Sequence, residues 1–237
     1  MKDQSDIEST KKDDKQRAIF DYRALRLLMG FIALALPLVV SLVSRERLSS
    51  ISASYYTNAR DVFVGMLCVV SAFLLAYNGH WLRESIASKV ASVAAVCVAV
   101  FPTSPAGGGY SMTSWVHFGS ATVLFSTLAY FCLGPFRKNT KGQSGKKGVR
   151  SKVYLVCGST MIACMAVMLA AISFLSREVI TTWRIIYWGE ATALVAFGAA
   201  WIVAGKYFGW LVDEKQKLLL SEIIGGNPSK DQAAQNQ

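Results

Sequence analysis

The chain has 237 residues, 53% hydrophobic and only 17% charged, with a mean hydropathy of +0.35. A water-soluble domain carries more charge than this to coat its surface, so a soluble globular fold is excluded. The net charge of +10 has no Gly-rich phosphate loop or RNA-binding signature beside it, so it reads as the basic loops of a membrane protein rather than a nucleic-acid binder.

Charge collects at the N-terminus, near position 140 and in the C-terminal tail. The uncharged blocks between are about 20 residues long, which suits a hydrocarbon core about 30 Å thick. Residues 1–23 mix Lys, Asp, Gln and Ser and read as a disordered cytoplasmic tail. The first span is expected at residues 24–44; it is too long for a signal peptide, no A-x-A site follows it, and Pro37 interrupts it. The second is expected at 61–77 and the third at 86–103, where Lys89 snorkels. Ala87, Ala91, Ala95 and Ala99 form a stripe at i+4 spacing on the third span, which lets helices approach closely in lipid. A turn with Pro102, Pro105 and glycines 107–109 leads to the fourth span, 114–136. The most basic segment, 137–152, precedes the fifth span at 153–175. A link with Trp183 and Arg184 leads to the sixth, 185–205, with a second stripe at Ala196, Ala200 and Ala204. Both stripes also offer surfaces for oligomerisation. Residues 207–226 are amphipathic and are expected along the membrane interface, followed by a disordered tail, 227–237.

Lys and Arg settle the orientation. With the N-terminus inside, they divide 20 to 5 in favour of the cytoplasmic segments. The sequence therefore predicts an all-α integral membrane bundle of six transmembrane helices over residues 24–206, both termini in the cytoplasm.

The five cysteines all fall in apolar blocks, form no C-x-x-C pair and read as small buried hydrophobes. Ionisable groups inside a span are costly and ask for an explanation. Arg60 and Asp61 open the second span at its outer end. His117 lies about one turn into the fourth span and Glu190 about one and a half turns into the sixth, both counted from outside. The four groups are thus expected at similar depth in the outer leaflet, under a hydroxyl-rich segment that includes Tyr55 and Tyr56. That placement allows an ion pair that locks helices together. It equally allows an outward-facing pocket for a lipid headgroup or small polar ligand, in which Arg60 holds an anion and His117 titrates between the carboxylates. No metal or cofactor is expected: no second histidine is spaced to join His117, and His80 belongs to the opposite end of its span. Ser120 lies three residues after His117, but no G-x-S-x-G elbow surrounds it, so no reaction is indicated. A small transporter or channel with a carboxylate relay, and a structural or assembly role, are the alternatives.

The run S-A-S-Y-Y-T-N-A-R-D-V-F-V-G at residues 52–65 resembles a hallmark of uncharacterised bacterial membrane proteins carrying a domain of unknown function. Phe101-Pro102-Thr103, the His117 region and Trp188-Gly189-Glu190 are similar to other marked positions of that family. The resemblance implies a six-helix fold in a bacterial inner membrane and a single constellation of Arg60, Asp61, His117 and Glu190. It implies no activity. Membrane lipids are the partners expected.

Overall fold

The computed structural model describes residues 4–79, 81–105, 109, 111–138 and 140–206, with side chains from Arg23 onward. His80, the expected interfacial helix at 207–226 and the tail at 227–237 lie outside the described residues. Among those described, all regular structure is helical: α1 (Gln4–Ser44), a 3-10 helix (Ser52–Tyr56), α2 (Arg60–Ala76), α3 (Leu82–Val100), α4 (Met112–Leu133), α5 (Pro135–Lys138), α6 (Gly145–Phe174), α7 (Arg177–Thr182) and α8 (Ile185–Gly205).

Helix limits follow propensity more than hydropathy. Helix α1 begins at Gln4, so most of the segment expected to be a disordered tail is helical. Its Lys, Gln, Glu and Arg are good helix formers even where they cannot enter lipid. Helix α6 likewise begins at Gly145, before the expected 153, because Lys146, Lys147 and Lys152 extend a helix as readily as apolar residues do. The sixth span, expected at 185–205, coincides with α8.

The six long helices form a closed ring. Each packs on the next in chain order, α1 on α2, α2 on α3, α3 on α4, α4 on α6 and α6 on α8, and α8 returns to pack on α1. Short connections make neighbours antiparallel, so the ends of the helices gather in two sets. We refer to the Tyr77 end, where α1 enters the bundle and α8 leaves it, and to the Glu190 end opposite.

Small residues set the helix spacing. A Cβ on Gly198 would lie 2.7 Å from the Gly30 carbonyl oxygen and 2.8 Å from Leu34, so α1 and α8 touch through bare backbone. A Cβ on Gly158 would lie 2.7 Å from the Leu133 side chain, so this glycine of α6 makes room for a leucine of α4. Ala91, Ala95 and Ala99 are fully buried, and Ala196, Ala200 and Ala204 nearly so. Ala91, Ala95 and Ala99 of the first stripe and all three alanines of the second therefore pack inside the ring, while Ala87 is partly buried against the same core. Between α2 and α3 the fastening is polar: the Ser71 and Ser92 hydroxyls lie 2.9 Å apart and each donates to the other's carbonyl, while the Ser88 hydroxyl reaches the Leu74 carbonyl. In an apolar surround such hydroxyls hold helices together because the alternative is an unsatisfied group.

Among the described residues, four helical stretches are long and apolar enough to cross a membrane: Arg23–Ser44, Met112–Lys138, Gly145–Phe174 and Ile185–Gly205. Helix α2 is only 17 residues long, and α3 carries Arg83, Glu84 and Lys89 in its first half. The protein is thus a helical bundle of the kind that membranes hold, with four spans evident from length and composition.

Substituting Gly198 tests the ring closure. Gly198→Val forces α1 away from α8 and should cost about 3 kcal/mol, the upper end for overpacking, because carbonyl backbone cannot step aside. Gly65→Ala, with nothing within 4 Å of its Cβ, should leave the detergent melting temperature unchanged or slightly raised. Equal melting of the two variants would show that the seam is not close-packed.

Candidate functional site

At the Glu190 end, the connection from α1 to α2 folds across the top of the ring. Its 3-10 helix leaves free N–H groups at its start, as every helix does. Glu190, from the second turn of α8, supplies the acceptors: Oε2 takes the Ile51 N–H and, at 3.3 Å, the Ser52 N–H, while Oε1 accepts the Ser52 hydroxyl at 2.9 Å. The Ser50 hydroxyl accepts the next N–H, that of Ala53, at 2.9 Å. A carboxylate at the start of a helix also meets its positive pole. Two further bonds hold the same connection to α8: Arg184 Nε donates to the Leu48 carbonyl at 2.7 Å, and the Tyr187 N–H to the Ser49 carbonyl at 3.2 Å.

The other residues predicted for this site are placed elsewhere on the same end. His117 is buried on α4, and its Nδ1 lies 2.8 Å from the Phe101 carbonyl. A carbonyl only accepts, so Nδ1 carries the proton, and the imidazole ends α3 by satisfying a terminal carbonyl. The Tyr56 hydroxyl donates to the Thr103 carbonyl at 2.6 Å, two residues further on. Desolvation first, and then neighbouring Tyr55, push the Tyr56 phenol above its ordinary value, which keeps it a donor. Arg60 is exposed and donates to the Tyr55 hydroxyl at 2.8 Å, its guanidinium carbon 4.4 Å from the ring centroid of the same residue. Asp61 is exposed in the first turn of α2, where the helix dipole favours an acid.

The predicted constellation is therefore divided among three tasks. Glu190 fastens the 3-10 helix, His117 and Tyr56 fasten the exit of α3, and Arg60 and Tyr55 pair with each other outside. Neither Arg60 nor Asp61 bonds to Glu190. Among the described residues no three His, Cys, Asp or Glu side chains are grouped to hold a metal.

The Tyr77 end holds what the sequence reading missed. Arg26 projects from α1 into the ring, donating to the Ala204 carbonyl in the last turn of α8 at 3.0 Å and to the Tyr77 hydroxyl at 2.7 Å. Its guanidinium carbon lies 5.3 Å from the ring centroids of both Tyr77 and Phe136. A cavity of about 500 Å³ opens beside it. Among the described residues, the cations Arg26, Lys138 and Lys206 line this cavity with one acid, Glu84, and its walls include Tyr77, Trp81, Phe136 and Tyr154. Glu84, Tyr154 and Thr140 are buried, and so is Arg150 on α6 nearby, at 1% exposure. Gly79, with φ +61°, makes the turn that brings Glu84 inward; its missing Cβ would meet the Glu84 side chain at 2.5 Å. In the sequence each of these groups is an ordinary interface anchor at a helix end. Their only common signal is that all six long helices bring such an end to the same side.

Comparison with protein-family models, curated proteins and solved structures gave no match.

Removing Glu190 tests the fastening. Glu190→Ala leaves the Ile51 and Ser52 N–H groups without acceptors and should cost about 2–3 kcal/mol. Glu190→Gln keeps one acceptor oxygen and should cost less. An unchanged melting temperature for Glu190→Ala in detergent would show that the carboxylate does not hold the connection.

Proposed function

We propose that this chain is a six-span protein of the bacterial inner membrane, both termini cytoplasmic, which binds an amphiphilic anion in the cavity at the Tyr77 end. The six-span reading is supported by the ring itself, since α2 and α3 complete it and turn apolar side chains outward. Val69 and Leu75 on α2 and Val90, Val93 and Val100 on α3 are all exposed. At about 1.5 Å per residue, helices of this length are about 26–28 Å long, enough for a slightly thinned hydrocarbon core. The charges of α3 lie in its first half, at the Tyr77 end, where Lys and Arg snorkel to the interface. The excess of Lys and Arg on this same side supports a cytoplasmic location for it, and the resemblance of residues 52–65 supports a bacterial inner membrane.

The observation that carries the binding reading is the composition of the cavity: three cations against one acid, between aromatic walls. Cations select a negative head and aromatic rings select an apolar body. This moves the ligand from the outward-facing pocket expected at Arg60, Asp61, His117 and Glu190 to the cytoplasmic side. At the Glu190 end Glu190, His117, Tyr56 and Arg184 are engaged with backbone, and that pattern favours a structural clasp there.

Two measurements test this reading. A membrane-impermeant maleimide applied to whole spheroplasts should label Asn58→Cys and not Gln143→Cys, each placed in a chain without its native cysteines. The reverse pattern would invert the topology. Dodecyl phosphate should stabilise the purified protein, by about 2.7 kcal/mol at a hundredfold excess over its Kd. An uncharged dodecyl detergent should not, and Lys138→Gln should weaken the effect. Equal melting with both amphiphiles would remove the proposed function.

A further inference from the structure

Beside the cavity lies a second recess, an open groove of about 830 Å³ on the outer surface of the ring. It runs between the first turn of α3 and the end of α4 with α5. Leu82, Tyr130 and Leu133 form its apolar floor and are 76%, 43% and 37% exposed. Its rim carries Arg83, Arg137, Lys138 and Lys141. The two recesses share Trp81, Glu84, Pro135 and Lys138 as a common wall. Within that wall the Lys138 ammonium stands 4.6 Å from the ring centroid of Trp81, so a cation–π pair separates groove from cavity.

The groove continues along the ring. On α3, Ile86, Val90 and Val93 follow Leu82 at helical spacing and are exposed, and on α4 Val123 is exposed ahead of Tyr130. An apolar trough with basic residues at one end matches one kind of molecule: acyl chains that follow the helices toward mid-membrane and a negative head at the interface. Four cations on the rim, with Glu84 the one acid and itself buried, favour a head with net negative charge over a zwitterionic one.

We propose that the groove between α3 and α4 seats an anionic phospholipid of the cytoplasmic leaflet and is its lateral access to the cavity. The lipid's phosphate lies against Lys138 and the arginine and lysine residues of the rim. In taking a hydrogen bond from the Lys138 ammonium, it draws that group away from Trp81 and joins the two recesses. This inference rests on the binding reading above and names both the ligand class and its path.

The test is native mass spectrometry of the full chain in detergent, titrated separately with phosphatidylglycerol, phosphatidylcholine and water-soluble glycerol 3-phosphate. Phosphatidylglycerol should bind one to one and about tenfold or more tighter than phosphatidylcholine. Arg83→Gln with Lys141→Gln removes two rim charges that do not line the cavity, and should abolish that preference while leaving glycerol 3-phosphate binding unchanged. Lys147→Gln with Lys152→Gln removes the same charge from the exposed start of α6 and should keep the preference. Equal binding of the two lipids, or equal loss in both double variants, overturns the groove, since either result describes unspecific attraction to a basic protein. Binding of glycerol 3-phosphate without phosphatidylglycerol also overturns the groove but leaves the cavity reading standing. Failure of all three ligands, together with no stabilisation by dodecyl phosphate, removes both. Melting temperatures of the double variants within a degree or so of the parent confirm that folding is not the cause.

Discussion

The closure of α1 against α8 is the contact on which the remaining arrangement depends. Gly30 and Gly198 present bare backbone to each other, and the helices approach until each glycine faces the other's carbonyl oxygen. In lipid there is no hydrophobic drive to bring helices together, so dispersion across such close contacts and a few hydrogen bonds must do it. Joining the first long helix to the last turns a row of antiparallel helices into a ring with two defined mouths. Each mouth then collects side chains that are far apart in the chain, such as Arg26 with Ala204 and Glu190 with Ile51.

The two mouths solve the same electrostatic problem differently. At the Glu190 end the backbone of the long connection and of the α3 exit would be left with unsatisfied groups. Glu190 supplies a partner for two of them, and His117, Tyr56 and Arg184 for one each. Polar side chains here satisfy polar backbone, which leaves little for a ligand. At the Tyr77 end Gly79, with φ +61°, lies in the connection from α2 to α3 and leaves room for the Glu84 side chain. The cations there face a recess, and Arg26 is held between two aromatic rings that orient its charge without neutralising it. That contrast is why the binding reading is proposed at the Tyr77 end and not at the Glu190 end.

How much was legible beforehand differs between helices and contacts. The span at 185–205 was readable to the residue because Arg184 and Lys206 bound a mostly apolar run on both sides. The starts of α1 and α6 were not, since hydropathy marks where a helix meets lipid and says nothing of how far good helix formers carry it into water. The Glu190 end drew attention because charges inside a span are conspicuous. Arg26, Tyr77 and Glu84 did not, because a charged or aromatic residue at a span's end is what any membrane helix shows.

The sequence by itself determined the all-helical class, the approximate place of each apolar stretch and the order of polar residues along each helix. That order follows from counting residues, at a fixed rise for each. Which residues meet was decided by tertiary structure. Glu190 and Arg60 were both read to the same level, yet Glu190 turns to Ile51 and Ser52 while Arg60 lies outside on Tyr55. A hydrogen bond needs about 3 Å and the right direction. Those depend on the order of helices around the ring and the rotation of each, which close packing at glycines and alanines sets and which no count along the chain records.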